Sequence, residues 1–96
     1  MSVREQLQTQ RDRILALARE HGVRNVRVFG SVARDAADEN SDVDFLVELE
    51  PGRSLFDLGG LLVELEALLH RRVDVVTDKG LRQRIREQVL REAVPL

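Results

Sequence analysis

The stretch Val26-Arg27-Val28-Phe29-Gly30-Ser31-Val32-Ala33-Arg34, followed after a polar loop by Ser41-Asp42-Val43-Asp44-Phe45-Leu46-Val47, decides the fold. The apolar run that stops at Gly30 reads as a strand, with Val26 and Val28 on one side, entering a tight turn. Residues 43–49 read as a second strand, closed by Pro51-Gly52. The loop at residues 35–41 is too short for a parallel crossover, so the two strands are expected to pair antiparallel. Side chains alternate along a strand, which places Asp42 and Asp44 on one face, roughly 6.5–7 Å apart, and Val43, Phe45 and Val47 on the other. Like charges on one face repel. Divalent cations about 3.5–4 Å apart would turn that repulsion into coordination.

Outward from this pair, Val3, Leu7, Ile14, Leu17 and Ala18 fall on one helical stripe capped by Ser2 and stopped by His21-Gly22. Residues 31–36 can begin a short helix with Ser31 as its cap. Ser54 is placed to cap a helix to about Leu69, with Leu58, Leu61, Leu62, Leu65, Leu68 and Leu69 as its core stripe. Phe56, Val63 and Ala67 form a second apolar line around Gly59 and Gly60, serving either as extra core or as a docking face. Residues 73–76 make a third strand, joined to the second by a helix long enough for a parallel crossover. A last helix follows from an Asp78 cap, carrying Leu81, Ile85 and Val89 inward and ended by Pro95. Alternating strands and helices predict one α/β layer spanning residues 1–96.

Composition narrows the function classes. A 96-residue chain holds one small core, and its net charge of −2, with both signs interspersed, predicts no general nucleic-acid surface. No cysteine is present, which removes thiolate metal sites and disulfides and fits a cytoplasmic setting. No run approaches the roughly 18 apolar residues of a membrane span, and the N-terminus is not signal-like.

Asp74 stands between Val73 and Val75, where an unpaired carboxylate is costly. If the second and third strands are neighbours, Asp74 lies beside Asp44 and completes an acidic cluster. An all-oxygen donor set favours magnesium or manganese over zinc. Taken singly, each aspartate reads more readily as structural: Asp42 as a strand end, Asp44 at a solvated edge, and Asp74 as a partner of Arg71 or Arg72. A calcium loop fails, because Val43 and Leu49 stand where glycine and a bidentate glutamate are needed. Gly30 allows close approach of the backbone to an oxyanion, and Ser31 adds a hydroxyl. Arg34 is placed to reach a phosphate, or to pair with Asp38 at i+4. No P-loop or dinucleotide fingerprint is present.

Gly30-Ser31-x-Ala33-Arg34, then Ser41-Asp42-x-Asp44, then Asp74 in a third strand resembles the nucleotidyltransferase superfamily related to DNA polymerase β, and its minimal members in particular. The resemblance spans residues 26–76. It implies an α/β (α+β) nucleotidyltransferase fold, a small mixed sheet of three or more strands with helices mainly on one face. By position, Gly30 and Ser31 would hold nucleotide phosphates, and Asp42, Asp44 and Asp74 would be catalytic and bind two magnesium ions. ATP would be the substrate. An acceptor hydroxyl would attack the α-phosphate, with Asp74 as the carboxylate placed to take the proton. Minimal members are typically found with a HEPN-domain toxin, act as its antitoxin, and in some cases transfer AMP to a tyrosine of that partner. One position departs: Asp35 stands where members commonly have glycine. Two further readings stay open. One is an antitoxin that works by contact alone; the other is a transferase for a small molecule or RNA, with a partner or homo-oligomer supplying the acceptor pocket.

Overall fold

A computed structural model describes residues 2–96. Its elements in chain order are helix α1 (Val3–Thr9), α2 (Arg11–Glu20), strand β1 (Val23–Phe29), α3 (Gly30–Ala33), β2 (Val43–Leu49), α4 (Leu55–Leu69), β3 (Val73–Thr77), a 3₁₀ turn (Asp78–Gly80), α5 (Gln83–Glu92) and β4 (Val94–Pro95). The sheet order is β3-β2-β1-β4. β1 and β2 pair antiparallel and β2 and β3 parallel, as the loop lengths predict.

The main core lies on one face of this sheet. Val23, Val28, Val43, Phe45, Val47 and Val73 meet Leu7, Ile14 and Ala18 from the N-terminal helices and Leu58, Leu61, Leu65 and Leu69 from α4. In strict alternation Val23 would point away from Val26 and Val28. A bulge between Arg24 and Arg27 inserts one extra residue and returns Val23 to the core, with Asn25 taking φ 52°. Asparagine tolerates that left-handed conformation better than most residues.

Four expectations are corrected. The single N-terminal helix is two, broken at Gln10, although the buried stripe keeps its phase across the break. Thr9 Oγ1 donates to the Glu5 carbonyl at 2.9 Å, a back-bond of the kind that bends helices. The helix after Gly30 ends at Ala33, and Ser31 lies inside it rather than capping it. Asp78 does not cap α5: Thr77 Oγ1 accepts from Gly80 N, and the Asp78 carboxylate binds Arg86 at 2.6 and 3.1 Å. α5 accordingly starts later, at Gln83, and only Val89 of its proposed stripe is buried; Ile85 is 45% exposed. Nor does Pro95 merely end the helix. It occupies a short edge strand on β1, where a missing N–H is tolerated.

Asp35 has φ 58°. The chain turns out of α3 through the left-handed region there, a conformation that glycine adopts without the Cβ penalty. Exchanging Asp35 for glycine should therefore stabilise the fold by up to about 1 kcal/mol. Thermal melts check this, with an expected rise of about 4–8 °C; a lowered melting point would show that the aspartate side chain supports the turn.

Candidate active site

The parallel register sets Asp44 of β2 directly beside Asp74 of β3, and the antiparallel register sets Asp44 opposite Phe29, the residue before Gly30. The two carboxylates and the Gly30 turn thus meet at one end of the sheet, on the face away from the main core. This face is disfavoured for so much negative charge. Burial pushes the Asp44 carboxyl up to about 6, assisted by the charges of Asp74 and Asp42, with Arg34 opposing and Glu92 adding to the rise.

Gly30 has φ 70°, and a Cβ there would collide with Asp44 Oδ2. Only glycine lets the turn lie against the carboxylate. Arg34 does not pair with Asp38; its Nη1 donates to Glu92 Oε1 at 3.0 Å. The same oxygen accepts from the Gly30 amide, also at 3.0 Å. Ser31 lies within the α3 turn beside Gly30, and its carbonyl accepts from Ala36 N at 2.8 Å.

Asp42 is placed differently from the other two aspartates. It lies just before β2 and forms an ion pair with Arg72 at 3.2 Å, so the arginine expected as a partner of Asp74 pairs with Asp42 instead. Among the described residues no group of three His, Cys, Asp or Glu side chains stands ready to enclose a metal ion. The donor chemistry nevertheless fits a hard cation: carboxylates only, gathered until one of them holds its proton abnormally tightly. Asp42 would have to leave Arg72 to join such a site. A cleft of about 480 Å³ lies at the opposite end of β2 and β3, lined by Val47, Glu50, Arg53, Asp78 and Lys79 among others, and contains none of Asp42, Asp44 and Asp74. The acidic end is the candidate site: burial and neighbouring charge raise the Asp44 carboxyl there, beside the Gly30 amide and Arg34.

Glu92 was not expected here. It sits in a run of charged residues on α5 with no local motif, and only the docking of α5 beside α3 brings it to Gly30.

Residues 11–96 match the family described as nucleotidyltransferase domain. The chain belongs to this family. As a nucleotidyltransferase it is an enzyme acting with a nucleotide, on the mixed α/β fold expected of it. Protein adenylyltransferase MntA of Thermococcus cleftensis is 47% identical over 78 residues, 81% of this chain and 79% of that protein. A Methanocaldococcus jannaschii protein with a provisional protein adenylyltransferase name is 42% identical over 82 residues, 85% of this chain and 88% of its own length. A solved structure provisionally described as a minimal nucleotidyltransferase superposes with a TM-score of 0.87 at 53% identity, covering 100% of this chain and 97% of that one. A crystal structure of a toxin-antitoxin with AMP-PNP shares the fold, with a TM-score of 0.74 at 22% identity over 88% of this nucleotidyltransferase and 69% of the other chain. Among the described residues no helix is long and apolar enough to cross a membrane.

Proposed function

We propose that residues 1–96 work as one nucleotidyltransferase domain that transfers AMP from ATP to a hydroxyl of a partner protein in the cytoplasm, and that the partner is a HEPN-domain toxin which this chain neutralises. The observation that carries the transfer is the side-by-side register of Asp44 and Asp74 under the Gly30 turn. Support for the protein acceptor comes from relatives named protein adenylyltransferase. The toxin reading draws on the toxin-antitoxin description of fold neighbours and on the outward side of α4. There Phe56 and Val63 of the second apolar line are 92% and 65% exposed and Leu55 beside them 78%, which leaves an apolar face open to a docking partner.

In this reading the Gly30 amide, Ser31 and Arg34 hold the phosphates and orient the α-phosphate toward the acceptor. Asp42, Asp44 and Asp74 would hold magnesium, which when bound supplies charge neutralisation and makes the acceptor hydroxyl more acidic. Asp74 is the exposed member of the strand pair and open to an incoming acceptor, so in this reading it accepts the hydroxyl proton. Asp44, half-buried between β1 and β3, fixes the cluster.

The exposed α4 face also favours a second reading, neutralisation by contact alone. One experiment separates the two. The chain is incubated with labelled ATP, magnesium and the product of its neighbouring gene, in wild type and in the Asp42→Ala, Asp44→Ala double variant. Label on the partner with wild type only is the expected result. Equal neutralisation by both proteins without any label would overturn transfer, and label on RNA or a small molecule would relocate the acceptor.

A further inference from the structure

We propose that Glu92 is a built-in competitor for the nucleotide's phosphates and sets the affinity of the Gly30 turn for its substrate. The inference rests on the reading of Gly30 and Arg34 as phosphate donors. A single oxygen, Glu92 Oε1, takes both of them: the Gly30 amide and Arg34 Nη1, each at 3.0 Å. A carboxylate oxygen accepting from an amide and a guanidinium makes the same contacts that a phosphate oxygen makes. The Glu92 side chain is 20% exposed, against 53% for Arg34, so the competing group lies on the inner side of the pair.

The carboxylate satisfies the Gly30 amide and Arg34, but at an electrostatic cost. Glu92 adds negative charge next to Asp44, whose ionisation is already opposed by burial, Asp74 and Asp42. Its two donors compensate that cost as long as no other anion takes them. A triphosphate brings more charge to the same donors, and Glu92 must yield to it. The Glu92 side chain is the part that can yield. α5 buries only Val89, while Ile85 and Leu90 remain 45% and 37% exposed. Its tether, Arg86 to Asp78, lies near the opposite end from Glu92. Val89, three residues before Glu92, and β4, paired with β1 directly after it, hold the backbone of the last turn, so the carboxylate yields by side-chain rotation.

A positioning role for Glu92 predicts the opposite sign, since removing a residue that holds Arg34 in place weakens nucleotide binding. Calorimetric titration of wild type, Glu92→Gln and Glu92→Ala with magnesium-ATP, pyrophosphate and adenosine decides between them. Glutamine keeps an acceptor for both donors, so that variant is expected to fold as wild type does, with a melting point as the check. Both variants should bind ATP and pyrophosphate about five- to tenfold more tightly, with adenosine binding unchanged, because the competition concerns phosphate and not the base. In steady-state transfer the KM for ATP should fall while kcat holds. Unchanged or weaker ATP binding in both variants, with wild type binding normally, overturns the competitor alone. Absence of ATP and pyrophosphate binding in all three proteins overturns the phosphate-site reading, and this inference with it.

Discussion

Asp44→Asn should reduce AMP transfer on the order of 10³-fold while making the domain more stable at neutral pH. The two effects have one cause. Asp44 is half-buried beside Asp74, its carboxyl is pushed up to about 6 by burial and neighbouring charge, and its ionised form is a cost to the fold. The folded state holds the proton more tightly than the unfolded chain, whose carboxyl titrates near 3.8. Stability contributed by this group is therefore present at low pH and lost as pH rises from about 4 through about 6.

The full shift would correspond to roughly 3 kcal/mol; solvent screening of a half-exposed carboxylate reduces this to about 1–2 kcal/mol. Melting curves in EDTA should then show wild type and Asp44→Asn close together at pH 3.5 and separated by about 5–10 °C at pH 7.5, with the variant higher. Magnesium should raise the wild type and leave the variant where it is. A variant that melts below wild type at pH 7.5, or a gap independent of pH, would show that Asp44 is an ordinary structural carboxylate. Stability sacrificed in this way is characteristic of residues kept for function.

How far the site was legible in the sequence depends on the kind of structure that builds each part. The Asp44–Asp74 adjacency was legible, because strand periodicity fixes the faces and a helical crossover fixes the parallel neighbour. The ion pair of Arg72 with Asp42 was not legible, because the sequence places Arg72 equally near the strand of Asp74, and only the packing of the β2 and β3 starts selects Asp42. Glu92 was not legible at all. It reaches Gly30 by the packing of a helix whose surroundings are arginine and glutamate, so hydrophobic period gives no hint of which side faces the sheet. The same weakness of signal misplaced Leu81 and Ile85 in the core. On α4 the periodicity was sufficient, and the capping box of Ser54 with Asp57 starts that helix where a cap was expected. Its second apolar line was ambiguous because exposure is decided by what the rest of the chain leaves uncovered. The extra residue in β1 was hidden as well. Val23 reads as out of phase with Val26 and Val28 until the left-handed Asn25 is seen to reset it.

Gly30→Ala should be as damaging to activity as losing Asp44, for a reason that a second glycine can isolate. Alanine at Gly30 incurs two costs. The left-handed φ of 70° costs about 1–2 kcal/mol for a residue with a Cβ. The added methyl group also collides with Asp44 Oδ2. The carboxylate is the end of a side chain and can rotate away, so the collision adds little to the stability loss. Rotation, however, takes Asp44 away from its place beside Asp74, and backbone adjustment instead moves the amide that Glu92 now holds. Either response dismantles the site. The expected result is a melting point lowered by about 5–10 °C and transfer reduced by at least about 10²-fold. Gly52→Ala is the matched control. Gly52 has φ 87°, with nothing within 4 Å of a built Cβ, so it carries the backbone cost without the collision. It should lower the melting point by a similar amount and leave transfer, assayed well below that temperature, near the wild-type rate. Equal activity losses in the two variants would trace the effect to general destabilisation. Full activity in Gly30→Ala would mean that the approach of the turn to Asp44 does not matter to the chemistry.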